Sequence, residues 1–238
     1  MYGWRARIGL MTTSVNTVNE PEFYQLAPEG VSISTTRLRF MGKANLETTI
    51  EMNEDIERCA NYIETANPDV VVYGVTAGSF FKGREYDTQL EAEIEEITGV
   101  PSITASSAIR RALAHLDVES VAIATPYIDE FNRRLSEYLE ESGVSVAAMD
   151  GLGITEGFNI GMVSPQEMYR EVQEIDHPDA EAVVVSGTNY RTIEVIEELE
   201  ADLGKPVVSA NAAAMWNALF ALDVDYTDVE CGRLFGAE

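Results

Sequence analysis

Positive charge is scarce in this sequence. Sixteen lysines and arginines face 41 aspartates and glutamates, and lysine is confined to Lys43, Lys82 and Lys205. The formal charge of −25 repels nucleic acid and anionic membrane, so neither is an expected partner. Self-repulsion on this scale weakens a compact fold unless salt screens it, which points to a halophilic protein adapted to very high ionic strength. An acidic protein of a low-salt setting is the alternative. Cysteine is limited to Cys59 and Cys231, far apart and without CxxC or metal-ligand spacing, which argues against a disulfide framework and a metal centre. The two histidines are poor catalytic prospects: His115 lies near a helix C-terminus, where it answers the dipole, and His177 precedes Pro178 in a connecting turn. No apolar run approaches the roughly 20 residues needed to cross a bilayer, and the first residues lack the regions of a secretory signal, so a cytoplasmic protein is expected. A phosphate loop and a GxGxxG fingerprint are missing too, so nucleotide chemistry fits poorly and no cofactor is expected.

What is present is organised around Val70-Val71-Val72-Tyr73-Gly74-Val75-Thr76-Ala77-Gly78-Ser79-Phe80. The β-branched run after Asn67-Pro68-Asp69 reads as a buried strand that breaks into a short loop of small and hydroxylated residues. Ligands gather at the carboxyl ends of strands in open α/β sheets, where backbone N–H groups accept an anion. Thr76 and Ser79 supply hydroxyl donors there, and Gly78 permits close backbone approach. A second copy follows at Val183-Val184-Val185-Ser186-Gly187-Thr188-Asn189-Tyr190-Arg191-Thr192.

The remaining chain alternates strand and helix. Strands are expected at 7–11, 31–38, 101–104, 120–124, 144–148 and 206–208. Helices are expected at 46–66, 86–98, 105–116, 129–142, 165–175, 192–203 and 211–222. The 46–66 helix should turn Ile50, Ile56, Ala60 and Ile63 inward and bury Cys59 as a small hydrophobe. Ser164-Pro165-Gln166-Glu167 carries a capping box with proline at the first helical position. Ile8 to Asn16 matches Val121 to Asp129 at an offset of 113, the valine-rich strands match at 112, and Pro101 to Ala108 matches Pro206 to Ala213 at 105. This reads as an internal duplication: an α/β chain of two pseudo-twofold-related, flavodoxin-like domains with parallel sheets and a ligand between them. The expected division is residues 1–112 plus 212–238 for one half and 113–211 for the other.

Gly-Leu-Met-Thr-Thr-Ser-Val-Asn-Thr at 9–17, Tyr-Gly-Val-Thr-Ala-Gly-Ser-Phe at 73–80, Thr-Pro-Tyr-Ile-Asp-Glu at 125–130 and Val-Ser-Gly-Thr-Asn-Tyr-Arg-Thr at 185–192 are four loop segments kept in order along the chain. Together they resemble the aspartate/glutamate racemase superfamily, in the branch of the maleate cis-trans isomerases and arylmalonate decarboxylases. The resemblance implies an aspartate racemase-like fold and cofactor-free proton transfer or decarboxylation next to the carboxylate of a small substrate. It also implies a homo-oligomer. The family's two catalytic cysteines fall on Val75 and Gly187 of this sequence, neither of which can move a proton. An asparagine of the family pattern after Ile154-Thr155-Glu156 is Gly157 here, with Asn159 close by. By the same resemblance, Asn16, Thr76, Ala77, Ser79, Thr188 and Asn189 hold the carboxylate. Tyr127, Tyr190 or a water held by Thr188 is left as the proton donor. Each residue also has a plainer reading: Thr76, Ser79 and Thr188 as helix-capping hydroxyls, Asn16 as a turn former, and Tyr127 as a wedge after Pro126.

Overall fold

A computed structural model describes residues 2–236; Met1, Ala237 and Glu238, which the expected first half includes, lie outside the described residues. The first half runs β1 (Ala6–Thr13), α1 (Asn19–Leu26), β2 (Val31–Leu38), α2 (Leu46–Asn53), α3 (Ile56–Glu64), β3 (Val70–Tyr73), α4 (Thr76–Phe80), α5 (Arg84–Thr98), β4 (Ser102–Thr104) and α6 (Ala105–His115). The second runs β5 (Ser120–Thr125), α7 (Asp129–Glu140), β6 (Ser145–Gly151), α8 (Gly157–Ile160), α9 (Pro165–Ile175), β7 (Ala182–Val185), α10 (Ile196–Leu203) and β8 (Val207–Ser209), followed by α11 (Ala210–Ala221) and α12 (Arg233–Gly236), which the expected division gives to the first half. The strands form two four-stranded sheets, ordered β2-β1-β3-β4 and β6-β5-β7-β8, with every pairing parallel.

The pairing register carries the sequence repeat into space. Ile8 pairs with Val70 as Val121 pairs with Ala182, and Val71 pairs with Ser102 as Val183 pairs with Val207. Matching residues are thus 113, 112 and 105 apart, as in the sequence alignment. β3 and β7 are buried along their whole length, because helices cover both faces of an inner parallel strand and continuous valine runs satisfy both. One large core joins the halves, with Leu10, Val72 and Phe80 in the same cluster as Val121, Val184 and Met215. A smaller core beneath α2, α3 and α5 contains Met11, Met52, Cys59 and Tyr73.

Capping follows local chemistry. Ser164 and Glu167 close the expected capping box on α9, and Gly99 and Gly204 end α5 and α10 in the left-handed conformation. The short helices α1, α8 and α12 are not expected from the sequence, and three further stretches differ from that expectation. The 46–66 helix breaks after Asn53, where Asp55 accepts from the Arg39 N–H at 3.0 Å and binds Arg58, and Ile50 is left 44% exposed on α2. The helix expected from Thr192 starts at Ile196, and the N–H groups of Thr192 and Ile193 ahead of it are accepted by the Glu22 carboxylate. The stretch after β3 is a helical turn, α4, rather than a loop.

Candidate active site

The carboxyl ends of β1, β3, β5 and β7 converge on one cavity of about 80 Å³. A single water needs only roughly 10–15 Å³ by this kind of measure, so the space suits a small organic molecule. β1 leads into Asn16, β3 into Val75 to Gly78, β5 into Pro126 and Tyr127, and β7 into Gly187 to Asn189, all of which line it. Phe40, Ala44, Thr49 and Met52 from the β2–α2 region close one side, and Phe131, Gly157 and Ile160 another. The segments bearing Ala44 and Gly157 meet through the Ala44 N–H, which donates to the Thr155 carbonyl at 2.6 Å, and through a bridge between Lys43 and Glu156. Among the described residues that line the cavity, none is Asp, Glu, Lys, Arg, His or Cys; the titratable side chain is Tyr127.

One wall is the turn after β3. Val75 is extended at φ −133° and precedes α4, so the first N–H groups of that helix have no intrahelical partner. The Thr76 side chain is buried and its Oγ1 has no hydrogen-bond partner. Ser186, equally buried at the end of β7, also has an unpartnered hydroxyl. The Tyr127 phenol lies beside both without completing a hydrogen bond of good geometry to either. Burial pushes its pKa up to about 12, against the opposing pull of those two hydroxyls. The ring packs edge-on with Phe80, at 6.0 Å between centroids, and tilted against Phe131 at 5.9 Å. Three neutral hydroxyl groups therefore gather in a dry setting, two of them with free hydrogen-bonding capacity.

The opposite wall is the turn after β7. Thr188 Oγ1 donates to the Gly74 carbonyl at 2.8 Å and accepts from Asn16 Nδ2 at 3.2 Å. Asn16 Oδ1 accepts from the N–H groups of Val18 and Asn19, both at 2.9 Å, and so caps α1. Asn189 accepts from the Thr17 N–H at 2.9 Å and donates to the Gly157 carbonyl at 2.8 Å. These side chains tie the loops of the two halves together and are themselves engaged. Gly187 sits at φ +127°, a conformation that L side chains rarely adopt. A Cβ there would lie 3.1 Å from Pro126 Cγ and 3.4 Å from Tyr127 Oη.

Asn16, Val75, Thr76, Ala77, Tyr127, Gly187, Thr188 and Asn189 are thus brought together. Ser79 is not: its hydroxyl donates to the Thr76 carbonyl at 2.9 Å and lies 2.6 Å from Ser106 Oγ, because its position in α4 turns it toward α6. Tyr190, a possible proton donor by sequence, is buried outside the cavity with its hydroxyl on Glu171. Cys59 and Cys231 are buried elsewhere, and burial raises both thiols, so neither arrives as a substitute nucleophile. Sequence reading missed the lining residues Phe40, Ala44, Thr49, Met52, Phe131 and Ile160, and Ser186, which adjoins Tyr127. Only Ser186 left a signal, one residue before the glycine of the second loop.

The comparisons with known proteins agree with this architecture. The family model described as arylmalonate decarboxylase matches residues 8–235. An arylmalonate decarboxylase of Bordetella bronchiseptica is 31% identical over 170 residues, 70% of each chain. A maleate isomerase of Geobacillus stearothermophilus is 25% identical over 246 residues, 98% of each chain. Among solved structures, a Nocardia farcinica maleate cis-trans isomerase variant holding a covalently bound succinylcysteine intermediate superposes with a TM-score of 0.91 at 26% identity, over 97% of this chain and 98% of that one. With the repeated parallel sheets and a cavity at their facing ends, these matches show that the chain belongs to the arylmalonate decarboxylase family, in the branch it shares with the maleate isomerases.

Proposed function

We propose that this chain is a cofactor-independent decarboxylase of small malonate-type carboxylates, with Tyr127 as the proton donor. The observation that carries the reading is the composition of the cavity: the unpartnered buried Thr76 hydroxyl at the start of α4, apolar walls, and one titratable side chain. Neutral donors fixed in a water-poor site stabilise a developing oxyanion by several kcal/mol, typically about 3–4 for a single donor. One carboxylate of the substrate would be held by Thr76, the N–H groups of Ala77 and Gly78 and those of the 187–189 turn. The other would face the apolar side made by Val75 and Phe131. The bond from the α-carbon to that second carboxylate breaks, CO₂ leaves, and the electron pair remains as an enediolate on the retained carboxylate. The Tyr127 O–H then transfers its proton to the α-carbon, and the tyrosinate recovers a proton from water. A phenol at about 12 is a strong enough acid for a carbanion of this kind, which is far more basic.

Val75 and Gly187 stand where the family resemblance places its two catalytic cysteines. The Nocardia relative's succinylcysteine intermediate requires a thiol in the cavity, and the thiols of this chain lie outside it. Isomerisation through a cysteine adduct has no nucleophile here, whereas decarboxylation needs one donor only. The same loss supports a second reading, a catalytically silent member that binds a carboxylate or serves a partner enzyme. The two are separated by incubating the chain with phenylmalonate, methylmalonate and maleate in D₂O at molar KCl, following CO₂ release and α-deuteration by NMR. Release with a single deuterium at the α-carbon is expected for a malonate. Measurable binding with no turnover across the panel would overturn the decarboxylase reading in favour of the silent one.

A further inference from the structure

Glu22 is a buried carboxylate on α1 that lies outside the cavity lining and forms no salt bridge among the described residues. Its Oε1 accepts from the backbone N–H groups of Thr192 at 2.8 Å and Ile193 at 3.3 Å, and its Oε2 accepts from Asn211 Nδ2 at 2.5 Å. The same Asn211 nitrogen donates to the Thr188 carbonyl at 3.0 Å, while Asn211 Oδ1 accepts from Asn19 Nδ2 at 2.8 Å. Thr188 completes the chain by bonding Gly74 and Asn16. One carboxylate on the first half therefore grips the second-half turn at two points, on either side of Asn189 and Tyr190. Burying a charge without a cation is costly, and a neutral side chain would avoid that cost. A glutamine in its place would have to turn an amide N–H toward either Asn211 Nδ2 or the 192–193 N–H groups, setting donor against donor.

We propose that Glu22 is a positioning residue for the anion site: through Asn211 and the 192–193 backbone it holds Thr188 and the 187–189 N–H groups opposite the Thr76 turn. The proposal rests on the reading of the cavity as a carboxylate site. Burial pushes the Glu22 carboxyl up to about 7, opposed by the bonds from Asn211, Thr192 and Ile193, with Glu194 adding to the rise. The charged groups around it are Glu194 and Arg191, paired with each other at 2.5 Å, and Cys231 from the C-terminal segment, whose thiol Glu22 helps to raise. The closed arrangement therefore holds the Glu22 proton more tightly than an opened one with Glu22 in water, so its stability is greatest below the usual carboxylate range and declines as pH rises toward about 7.

The test compares the full chain, Glu22→Gln, Asn211→Ala and the double variant. Amide hydrogen exchange of the 187–193 peptide is read by mass spectrometry and phenylmalonate affinity by calorimetry. At pH 8 the Glu22→Gln chain is expected to exchange in 187–193 about tenfold faster, with the 76–80 peptide unchanged, and to bind phenylmalonate about tenfold more weakly. The double variant should be no weaker than the worse single one, because both act through one chain of bonds. After correction for intrinsic rates, wild-type exchange in 187–193 should slow as pH drops from about 8 to 6, whereas Glu22→Gln stays flat. Unchanged exchange in Glu22→Gln overturns the proposal. So does faster exchange with unaltered phenylmalonate affinity, which would make Glu22 a structural acid only. A wild-type chain that does not bind phenylmalonate refutes the carboxylate reading instead, and the exchange comparison then decides alone whether Glu22 holds the turn. If Glu22→Gln does not fold, Asn211→Ala, which keeps both backbone bonds of the carboxylate, carries the same comparison.

Discussion

Tyr127→Phe removes a single oxygen, and the structure separates what that oxygen does for folding from what it would do for chemistry. The ring contacts to Phe80 and Phe131 depend on the benzene frame and survive the change. The lost hydroxyl gives up no hydrogen bond of good geometry, since Thr76 Oγ1 and Ser186 Oγ are both unpartnered. A buried hydroxyl of this kind contributes about 1 kcal/mol or less, which for a chain of this size is roughly 2–4 °C in Tm. For turnover the loss is larger. Deleting one oxyanion donor costs about 10²–10³ in rate, and deleting a general acid about 10²–10⁴. A drop of about 10³ in kcat, near 4 kcal/mol of barrier, is therefore expected with Tm almost unmoved. The pH behaviour adds a second check. With the phenol at about 12 in the fold and 10.0 as its reference, the folded chain holds this proton more tightly than the unfolded one. Its contribution to stability is complete below about 10 and declines as pH climbs toward 12, a decline the phenylalanine variant should lack. CO₂ release from phenylmalonate gives the rate, and thermal melts at pH 7 and pH 11 give the stability. Wild-type kcat in Tyr127→Phe would refute the assignment of Tyr127 as proton donor, whatever the melts show.

Three further outcomes follow from the same geometry. Val75→Cys should fold and place a thiol in the cavity that reacts with Ellman's reagent while buried Cys59 and Cys231 do not; Gly187→Cys should cost about 1–3 kcal/mol in urea unfolding, because φ +127° and Pro126 both oppose a side chain. Burial holds the Glu171 carboxyl at about 7 from a reference of 4.5, so the folded state takes up its proton first and stability falls as pH rises through that window. Glu171→Gln keeps an acceptor for the Tyr190 hydroxyl and should flatten the slope, gaining up to roughly 3 kcal/mol at pH 8 in urea unfolding. Finally, Tm should rise between 0.1 M and 2 M KCl, since a charge of −25 is screened over about 10 Å at the lower salt and about 3 Å or less at the higher; a falling Tm would count against halophilic adaptation.

Local signals were legible where one residue type settles a conformation. Pro165 behind Ser164 fixed the start of α9, Gly99 and Gly204 fixed two helix ends, and continuous valine marked β3 and β7 as inner strands. The long helix expected at 46–66 looked continuous because its apolar period survives the break at Glu54 and Asp55. At the break Asp55 accepts from the Arg39 N–H, a contact 16 residues back in the chain that no period reports. The turn ahead of α10 is likewise bound by Glu22, which lies 170 residues upstream of Thr192 and is invisible to a local pattern.

The sequence by itself determined the parallel α/β architecture, its duplication in register, and the loops that would meet, because strand period, turn residues and repeat spacing are local or collinear properties. Which side chains face the cavity was decided only by the tertiary structure. Ser79 and Thr76 are three residues apart on one helical turn, yet packing on α6 claims one hydroxyl and leaves the other unpartnered. Asn16, Thr188 and Asn189 likewise serve first as fasteners between halves, and Phe40 and Met52 reach the site from segments with no motif at all. The physical reason is that a hydroxyl or amide declares its chemistry in the sequence, whereas its direction and partners are set by long-range packing.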